Sequence, residues 1–517
     1  MIHMFQQSGY KLNEFGGWLR RHWSIYGISV PHAAFNLILL LLLLYLDNNL
    51  TSSAAIIIVT IFAVFWFGRV KAYVPEEVKK PLVVTPRVKR LSAILLLLFL
   101  PLPVYGVAWA YEAGYPFADI YILGFTWIIA DLLIPLLMMI AAAFIQPVER
   151  SIQNSFIRQA QNKLASMPDL KTVAITGSYG KTSSKFILRR ILEERFNVCA
   201  TPGSYNTPMG ICKVINNDLE AGHQILILEM GARYEGNIDE LCQIARPDVA
   251  VLTNIGIAHL ETFGSVDAIA RTKGSLLKYL PEDGWAVLNA DDKRVMNLHP
   301  GNKTKTLSAG LESGDLQAFD IFYDSNGCHF KVKDHQTGEE VEVQTPLLGA
   351  HNVQNIVQAM AVGKVFNLRL KTMAVALKAM KPVEHRMELK NRNGTIVIDD
   401  AFNSNPIGAR NAVDVLSEFK GGRKFLITPG MIELGEREDE ENQELGRYIG
   451  QKSLDKIYLV GRNQTAALRQ GIAEAGFDSG KIEVVDSLFD ANRRLDEESE
   501  AGDVVLYEND LPDSYNE

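Results

Sequence analysis

Residues 175–184 read ITGSYGKTSS and join the apolar run KTVAIT to the amphipathic stretch SKFILRRILEE. A glycine-rich turn between a strand and a helix aims backbone N–H groups at one spot, and the helix N-terminus there favours an anion. The usual phosphate loop is G-x-x-x-x-G-K-[ST]. Here the glycine before Gly180 is Gly177, three residues back, so the loop is a shortened form. Gly177 and Gly180 are expected to close the backbone around phosphate and Lys181 to add positive charge. Thr182 or Ser183 would offer a hydroxyl to Mg2+.

Outward from this loop, KTVAIT, QILILEM, DVAVLTNIG and WAVLN alternate with helical patterns, the signature of βαβ units and a mostly parallel sheet. Between about residues 303 and 345 the pattern changes to short polar–apolar alternation, which predicts an antiparallel insertion. A second α/β series begins at Thr395 with TIVIDD and continues through KFLITPG, KIYLVG, KIEVV and DVVLYEN. It predicts a separate, Rossmann-like C-terminal domain. The expected partition is 1–150, 151–382 and 383–517. Glu229 ends the strand ILILE, where side chains point into the ligand crevice of a parallel sheet; it reads as a Mg2+ ligand or as a strand-end acid in water. By their own patterns His259 is an isolated histidine after a strand and Lys273 a solvated helix lysine.

The first 150 residues differ in kind. Apolar stretches at about 25–46, 51–67, 91–110 and 120–145 approach or exceed the roughly 20 residues that cross a bilayer core, and predict an N-terminal helical transmembrane domain of about four helices. The link between the second and third stretches carries seven Lys/Arg, whereas the other two links carry none. This bias predicts a multi-pass protein of the inner (cytoplasmic) membrane, in contact with membrane lipids, its N-terminus and catalytic domains facing the cytoplasm. Asp131, in the fourth stretch, reads either as a functional intramembrane acid or as a helix–helix hydrogen-bonding group. Residues 1–150 hold 11 Lys/Arg against 8 Asp/Glu, and the remainder 41 against 52. An acidic catalytic part excludes a nonspecific nucleic-acid binder, which needs a basic footprint. Four scattered cysteines without a C-x-x-C pair indicate reduced thiols.

The strings ITGSYGKTS, LEMGAR, TNIGIAHLETFGS, TKGSLL, LNADD, LGAHNVQNIVQA, PVEHRMEL, IDDAFNSNP and GMIELGERE, in this order, resemble the Mur ligase family of bacterial cell-wall synthesis. Within it they resemble most the branch that adds D-alanyl-D-alanine to UDP-N-acetylmuramoyl-tripeptide. The resemblance implies ATP-dependent amide-bond formation: a carboxylate attacks the γ-phosphate, and the resulting acyl phosphate is taken by an amine. It implies Mg2+ ligands at Glu229 and His259, with Thr182 beside them, and a carbamylated Lys273 as a further ligand. It implies nucleotide contacts at Asn352, Arg386 and Asp400, and substrate contacts at Asn206, Asn403 and Asn405. Three positions depart from the family pattern: His385 for glycine, Gly430 for an acid, and Thr207 for a second asparagine. The UDP-sugar module of the family is replaced by the apolar N-terminus, so the acceptor is expected to be a cell-wall precursor or a lipid-linked carboxylate, and the amine an amino acid or dipeptide. A polyglutamate-type ligase is the alternative within the class. A membrane P-loop ATPase or regulatory protein without ligase activity is the alternative outside it.

Overall fold

The structure, a computed structural model, describes residues 2–21, 82–112, 118–257, 260–301, 304–381, 387–400, 406–431 and 437–509. It divides into two compact units, Met1–Ser155 and Phe156–Glu517.

The described part of the first unit is helical: α1 (Ile2–Gln7), α2 (Leu12–Arg21), α3 (Pro86–Phe99), α4 (Pro101–Glu112) and the start of α5 (Ala118–Ala165). Thr85 caps α3 by accepting from Val88 N, and Pro86 occupies a first-turn position that needs no N–H. Phe5, Phe15, Leu91, Met138, Ala141 and Ile145 form its small core. Glu149, buried in α5, is held by Arg90 at 2.6 Å and Arg87 at 3.7 Å.

The predicted transmembrane domain is corrected here. The third apolar stretch is broken at Leu100–Pro101, because a proline cannot continue the hydrogen-bond ladder. The two pieces, 14 and 12 residues, are each shorter than a span. The fourth stretch is not a separate element, since it is the first part of α5, 48 residues in all, which runs on into the charged segment after Glu149. No helix among the described residues is long and apolar enough to cross a membrane. The multi-pass inner-membrane placement, the orientation drawn from loop charge, the lipid contacts and an intramembrane role for Asp131 fall with it. The first two stretches, 25–46 and 51–67, lie outside the described residues.

The second unit is mixed α/β with two sheets. The first has nine strands in the order β2-β3-β1-β4-β5-β6-β7-β8-β9. Its strands are β1 (Lys171–Thr176), β2 (Val198–Ala200), β3 (Ile225–Glu229), β4 (Val249–Leu252), β5 (Trp285–Asn289), β6 (Lys305–Gly310), β7 (Leu316–Asp324), β8 (Gly327–Asp334) and β9 (Glu340–Thr345). Strands β1–β7 pair in parallel, and β7-β8-β9 are antiparallel. The alternating segment expected as an insertion is therefore an extension of the same sheet. Around it lie α6 (Lys181–Leu192), α7 (Pro208–Asn217), α8 (Asn237–Ile244), α9 (Val266–Gly274), α10 (Ala350–Val365) and α11 (Leu370–Lys378). Side chains alternate across β1: Val173 and Ile175 pack with Ile187 and Ile191 of α6 and Ile356 and Met360 of α10. Ala174 faces the opposite layer with Cys212, Ile215 and Leu241.

The second sheet has six strands in the order β10-β11-β15-β12-β13-β14. These are β10 (Glu388–Arg392), β11 (Thr395–Asp400), β12 (Lys424–Thr428), β13 (Lys456–Val460), β14 (Ile482–Val485) and β15 (Val504–Glu508), parallel except for β10 against β11. Helices α12 (Pro406–Glu418), α13 (Glu438–Gly450), α14 (Ala466–Glu474) and α15 (Leu488–Glu498) cover it. The turn after α12 meets β7, where Lys420 N donates to Tyr323 O at 2.8 Å and Lys420 Nζ lies 3.5 Å from the Phe322 ring centre.

Candidate active site

The loop after β1 is shaped by what surrounds it. A Cβ on residue 177 would lie 1.9 Å from Thr253 Oγ1 and 3.2 Å from Asn254 N, so only glycine fits. Gly180 sits at φ +78°, the left-handed region, and caps α6 without a side chain. The turn after β4 clamps this loop. Tyr179 N donates to Asn254 Oδ1 at 2.8 Å, Thr253 Oγ1 to Tyr179 O at 2.7 Å, and Gly256 N to Ser178 Oγ at 2.9 Å. The backbone that would cradle phosphate is thus fixed by a second strand end rather than free to adapt.

Two lysines converge on one carbonyl of that loop. Lys181 Nζ donates to Gly177 O at 2.8 Å, and Lys273 Nζ, from α9, donates to the same oxygen at 2.9 Å. Burial pushes the Lys273 ammonium down to about 7, helped by the neighbouring charge of Lys181. Lys181 is lowered by burial and partly restored by Glu229. Lys273 is 2% exposed, so its reading as a solvated helix lysine is overturned. Thr182 Oγ1 donates to Glu229 Oε2 at 2.9 Å, and Asn206 Nδ2 to Glu229 Oε1 at 3.0 Å. Glu229 is 1% exposed, which removes the alternative of a strand-end acid in water. Ser183 follows on α6, half-buried.

The other expected positions make the following contacts within the chain. Asn352 turns back to Leu348 O at 2.8 Å, within its own helix start. The asparagine three residues on, Asn355, accepts from Ser184 Oγ at 3.1 Å and lies against Gly180. Asp400 ends β11 and accepts from Met387 N at 3.2 Å. Thr207 is the N-cap of α7, accepting from Gly210 N, which explains a hydroxyl residue there. Gly430 has φ +79°, and a Cβ there would meet Asn442 Oδ1 at 2.7 Å; the acid of the family pattern has no room, and the buried Glu508 sits close by, bonded to Thr428. His259, His385, Arg386, Asn403 and Asn405 lie outside the described residues. Among the described residues no group of three or more His, Cys, Asp or Glu side chains is arranged to hold a metal.

Sequence reasoning missed several residues. Lys185, fully buried in α6, reaches Glu229 Oε2 at 3.2 Å and the Gly203 carbonyl. Its signal was spacing: residue 185 falls on the stripe of Leu188 and Leu192, a place for an apolar side chain. Gln354, Asn289 and Thr253 form a chain from the loop to a cleft of about 720 Å3 lined by Asn289, Asp291, Asp292, Arg294, His351 and Gln354. Gln354 Nε2 donates to Asn289 Oδ1 and Ala309 O, both at 3.0 Å. With both amide hydrogens engaged, its Oε1 is fixed as the remaining atom, buried and without a partner among the described residues.

A glycine loop clamped at a helix N-terminus, with two lysines, a hydroxyl and a buried carboxylate, defines a nucleoside-triphosphate-using α/β enzyme. The Mur ligase middle domain matches residues 175–363, and the glutamate ligase domain of the Mur ligases matches residues 385–507. UDP-N-acetylmuramoyl-tripeptide–D-alanyl-D-alanine ligase of Bacillus subtilis is 31% identical over 342 residues, covering 65% of this chain and 72% of that one. Its Mycobacterium tuberculosis counterpart is 34% identical over 325 residues, covering 60% and 63%. The crystal structure of MurF ligase from Thermotoga maritima in complex with ADP is similar at TM-score 0.58 and 30% identity, covering 69% of this chain and 80% of that one. MurF from Acinetobacter baumannii is similar at TM-score 0.58 and 26% identity, covering 69% and 77%. The chain belongs to the Mur ligase family, whose members are ATP-dependent ligases.

Proposed function

We propose that the chain joins a carboxylate of a peptidoglycan precursor, UDP-N-acetylmuramoyl-tripeptide, to the amine of D-alanyl-D-alanine with ATP and Mg2+. The observation that carries this is the convergence of Lys181 and Lys273 on the Gly177 carbonyl, with the Thr182–Glu229 pair at the start of the same helix. ATP supplies activation of the carboxylate as an acyl phosphate. Two anions must approach each other in that step, so positioning and charge neutralisation are what the protein has to provide.

Gly177 and Gly180 let the loop pack against Thr253 and Asn355 at the N-terminus of α6, where backbone N–H groups favour an anion, and Lys181 lies over the loop ready to meet negative charge. The residues fit a metal: the Thr182 hydroxyl and the Glu229 carboxylate, 2.9 Å apart, are the hard oxygen donors that Mg2+ takes. His259 and a carbamylated Lys273 would complete its ligands. They also fit a nucleobase: Gln354 Oε1, buried and unpartnered at the cleft, is an acceptor suited to an exocyclic amine. Asn206, on Glu229 Oε1, would carry the state of the metal site to the acceptor. Arg386, Asn352 and Asp400 would contact nucleotide, and Asn403 and Asn405 the incoming dipeptide. On the proposed partition into 151–382 and 383–517, the loop and Asn352 would belong to one domain and Arg386, Asp400, Asn403 and Asn405 to the other.

Incubating the purified chain with ATP, Mg2+, UDP-N-acetylmuramoyl-tripeptide and D-alanyl-D-alanine tests the proposal by mass spectrometry of the sugar nucleotide. The expected product is heavier by one D-alanyl-D-alanine less water. Unchanged tripeptide beside consumed ATP would contradict it.

A further inference from the structure

We propose that Lys185 is an internal counter-cation that holds the place of the metal at Glu229 and couples metal arrival to the 201–207 loop. It is a positioning residue, and the proposal rests on the reading of Glu229 as a Mg2+ ligand. The observations lie in one small volume. The Lys185 side chain is 0% and that of Glu229 1% exposed, with Nζ 3.2 Å from Oε2. The same Nζ binds the Gly203 carbonyl and lies 4.7 Å from the Phe186 ring centre. Glu229 Oε2 also accepts from Thr182, and Oε1 from Asn206. The carboxylate is therefore satisfied by three donors from two elements: Thr182 in the first turn and Lys185 in the body of α6, and Asn206 in the 201–207 loop.

A carboxylate buried to this degree needs a compensating charge. With no metal bound, Lys185 supplies it. A divalent cation arriving on Glu229 brings like charge close to the ammonium, which weakens the Lys185–Glu229 pair. The Lys185 tie to Gly203 does not involve the carboxylate and persists. The 201–207 loop, held to Lys185 at Gly203 and to Glu229 at Asn206, then receives two different signals when the metal arrives. A loop so strapped reports metal loading to the region where the acceptor is expected. Because coupling is reciprocal, anything that pulls Lys185 off Glu229 must tighten metal binding by the same factor.

The test uses the full chain free of nucleotide, titrated with Mg2+ alone and followed by thermal melting and calorimetry, for wild type, Lys185→Met and Lys185→Arg. Wild type is expected to melt only slightly higher in Mg2+ than in EDTA. Lys185→Met should melt lower in EDTA, recover in Mg2+, and bind Mg2+ roughly tenfold more tightly or better. Lys185→Arg, which keeps the charge, should resemble wild type. Equal loss of melting temperature by Lys185→Met in EDTA and Mg2+, with unchanged Mg2+ affinity, overturns the proposal and leaves Lys185 a structural ion pair. If Lys185→Met does not fold in EDTA, the double variant Lys185→Met/Glu229→Gln decides. Removal of both charges should restore metal-free folding and abolish the Mg2+ response, whereas a double variant as damaged as the two single losses combined overturns the coupling. Should wild type bind no Mg2+ even with ADP present, it is the reading of Glu229 that fails; normal Mg2+·ADP binding with an indifferent Lys185→Met fails only the coupling.

Discussion

At pH 7 a lysine with the ordinary pKa of 10.5 carries an uncharged amine in roughly one molecule in three thousand. Lys273, pushed down to about 7 by burial and by Lys181, carries one in about half. Only the uncharged amine attacks CO2, so this environment favours carbamate formation by roughly a thousandfold over a surface lysine. Protein free of metal and nucleotide, equilibrated with 13C-bicarbonate, should show one carbamate carbon by NMR. The signal should be strong at about pH 8, weaker at about pH 6 and absent from Lys273→Ala. A wild-type signal no greater than that of bulk lysines, or one that persists in Lys273→Ala, refutes the reasoning. The same burial has a consequence for stability without CO2. The folded pKa lies below the unfolded one, so between about 7 and 10.5 the unfolded chain binds more protons and stability rises with pH. The rise is at most about 1.4 kcal/mol per pH unit and disappears below 7, where both states are protonated. Lys273→Met should flatten it in melts compared across that window.

Gly177→Ala forces a Cβ against Thr253 and the Asn254 backbone, and should lower stability by about 1–3 kcal/mol in urea denaturation while weakening ADP binding measured by calorimetry. Asn355→Ala strands the buried Ser184 hydroxyl, at a cost of about 1–2 kcal/mol; adding Ser184→Ala should cost less than the sum of the single losses. Gln354→Leu removes the unpartnered acceptor at the cleft and should reduce the preference for ADP over IDP, read as the ratio of their dissociation constants, toward unity.

The strands around the loop were legible because each is a short, mostly apolar run: β1, β3, β4 and β5 all fall within the quoted strings. Gly177, Gly180, Lys181 and Thr182 were legible for the same local reason, since a phosphate loop is written in consecutive residues. What was not legible depends on partners distant in sequence. Lys185 is marked in the sequence only by its place on an apolar stripe, and its role appears when Glu229, 44 residues on, supplies the counter-charge. Asn355 and Gln354 take their roles from Ser184 and Asn289, which only the fold brings to them. The N-terminal reading failed because hydropathy counts apolar residues without asking where a helix stops, and Pro101 divides the third stretch.

The central claim is that ATP turnover here serves amide-bond formation at the Gly177 turn. Phosphate release measured with ATP and Mg2+ should require UDP-N-acetylmuramoyl-tripeptide and D-alanyl-D-alanine together, match the dipeptide incorporated one for one, and be lost in Lys181→Ala. Phosphate release that proceeds equally without either substrate, or survives Lys181→Ala undiminished, would contradict it.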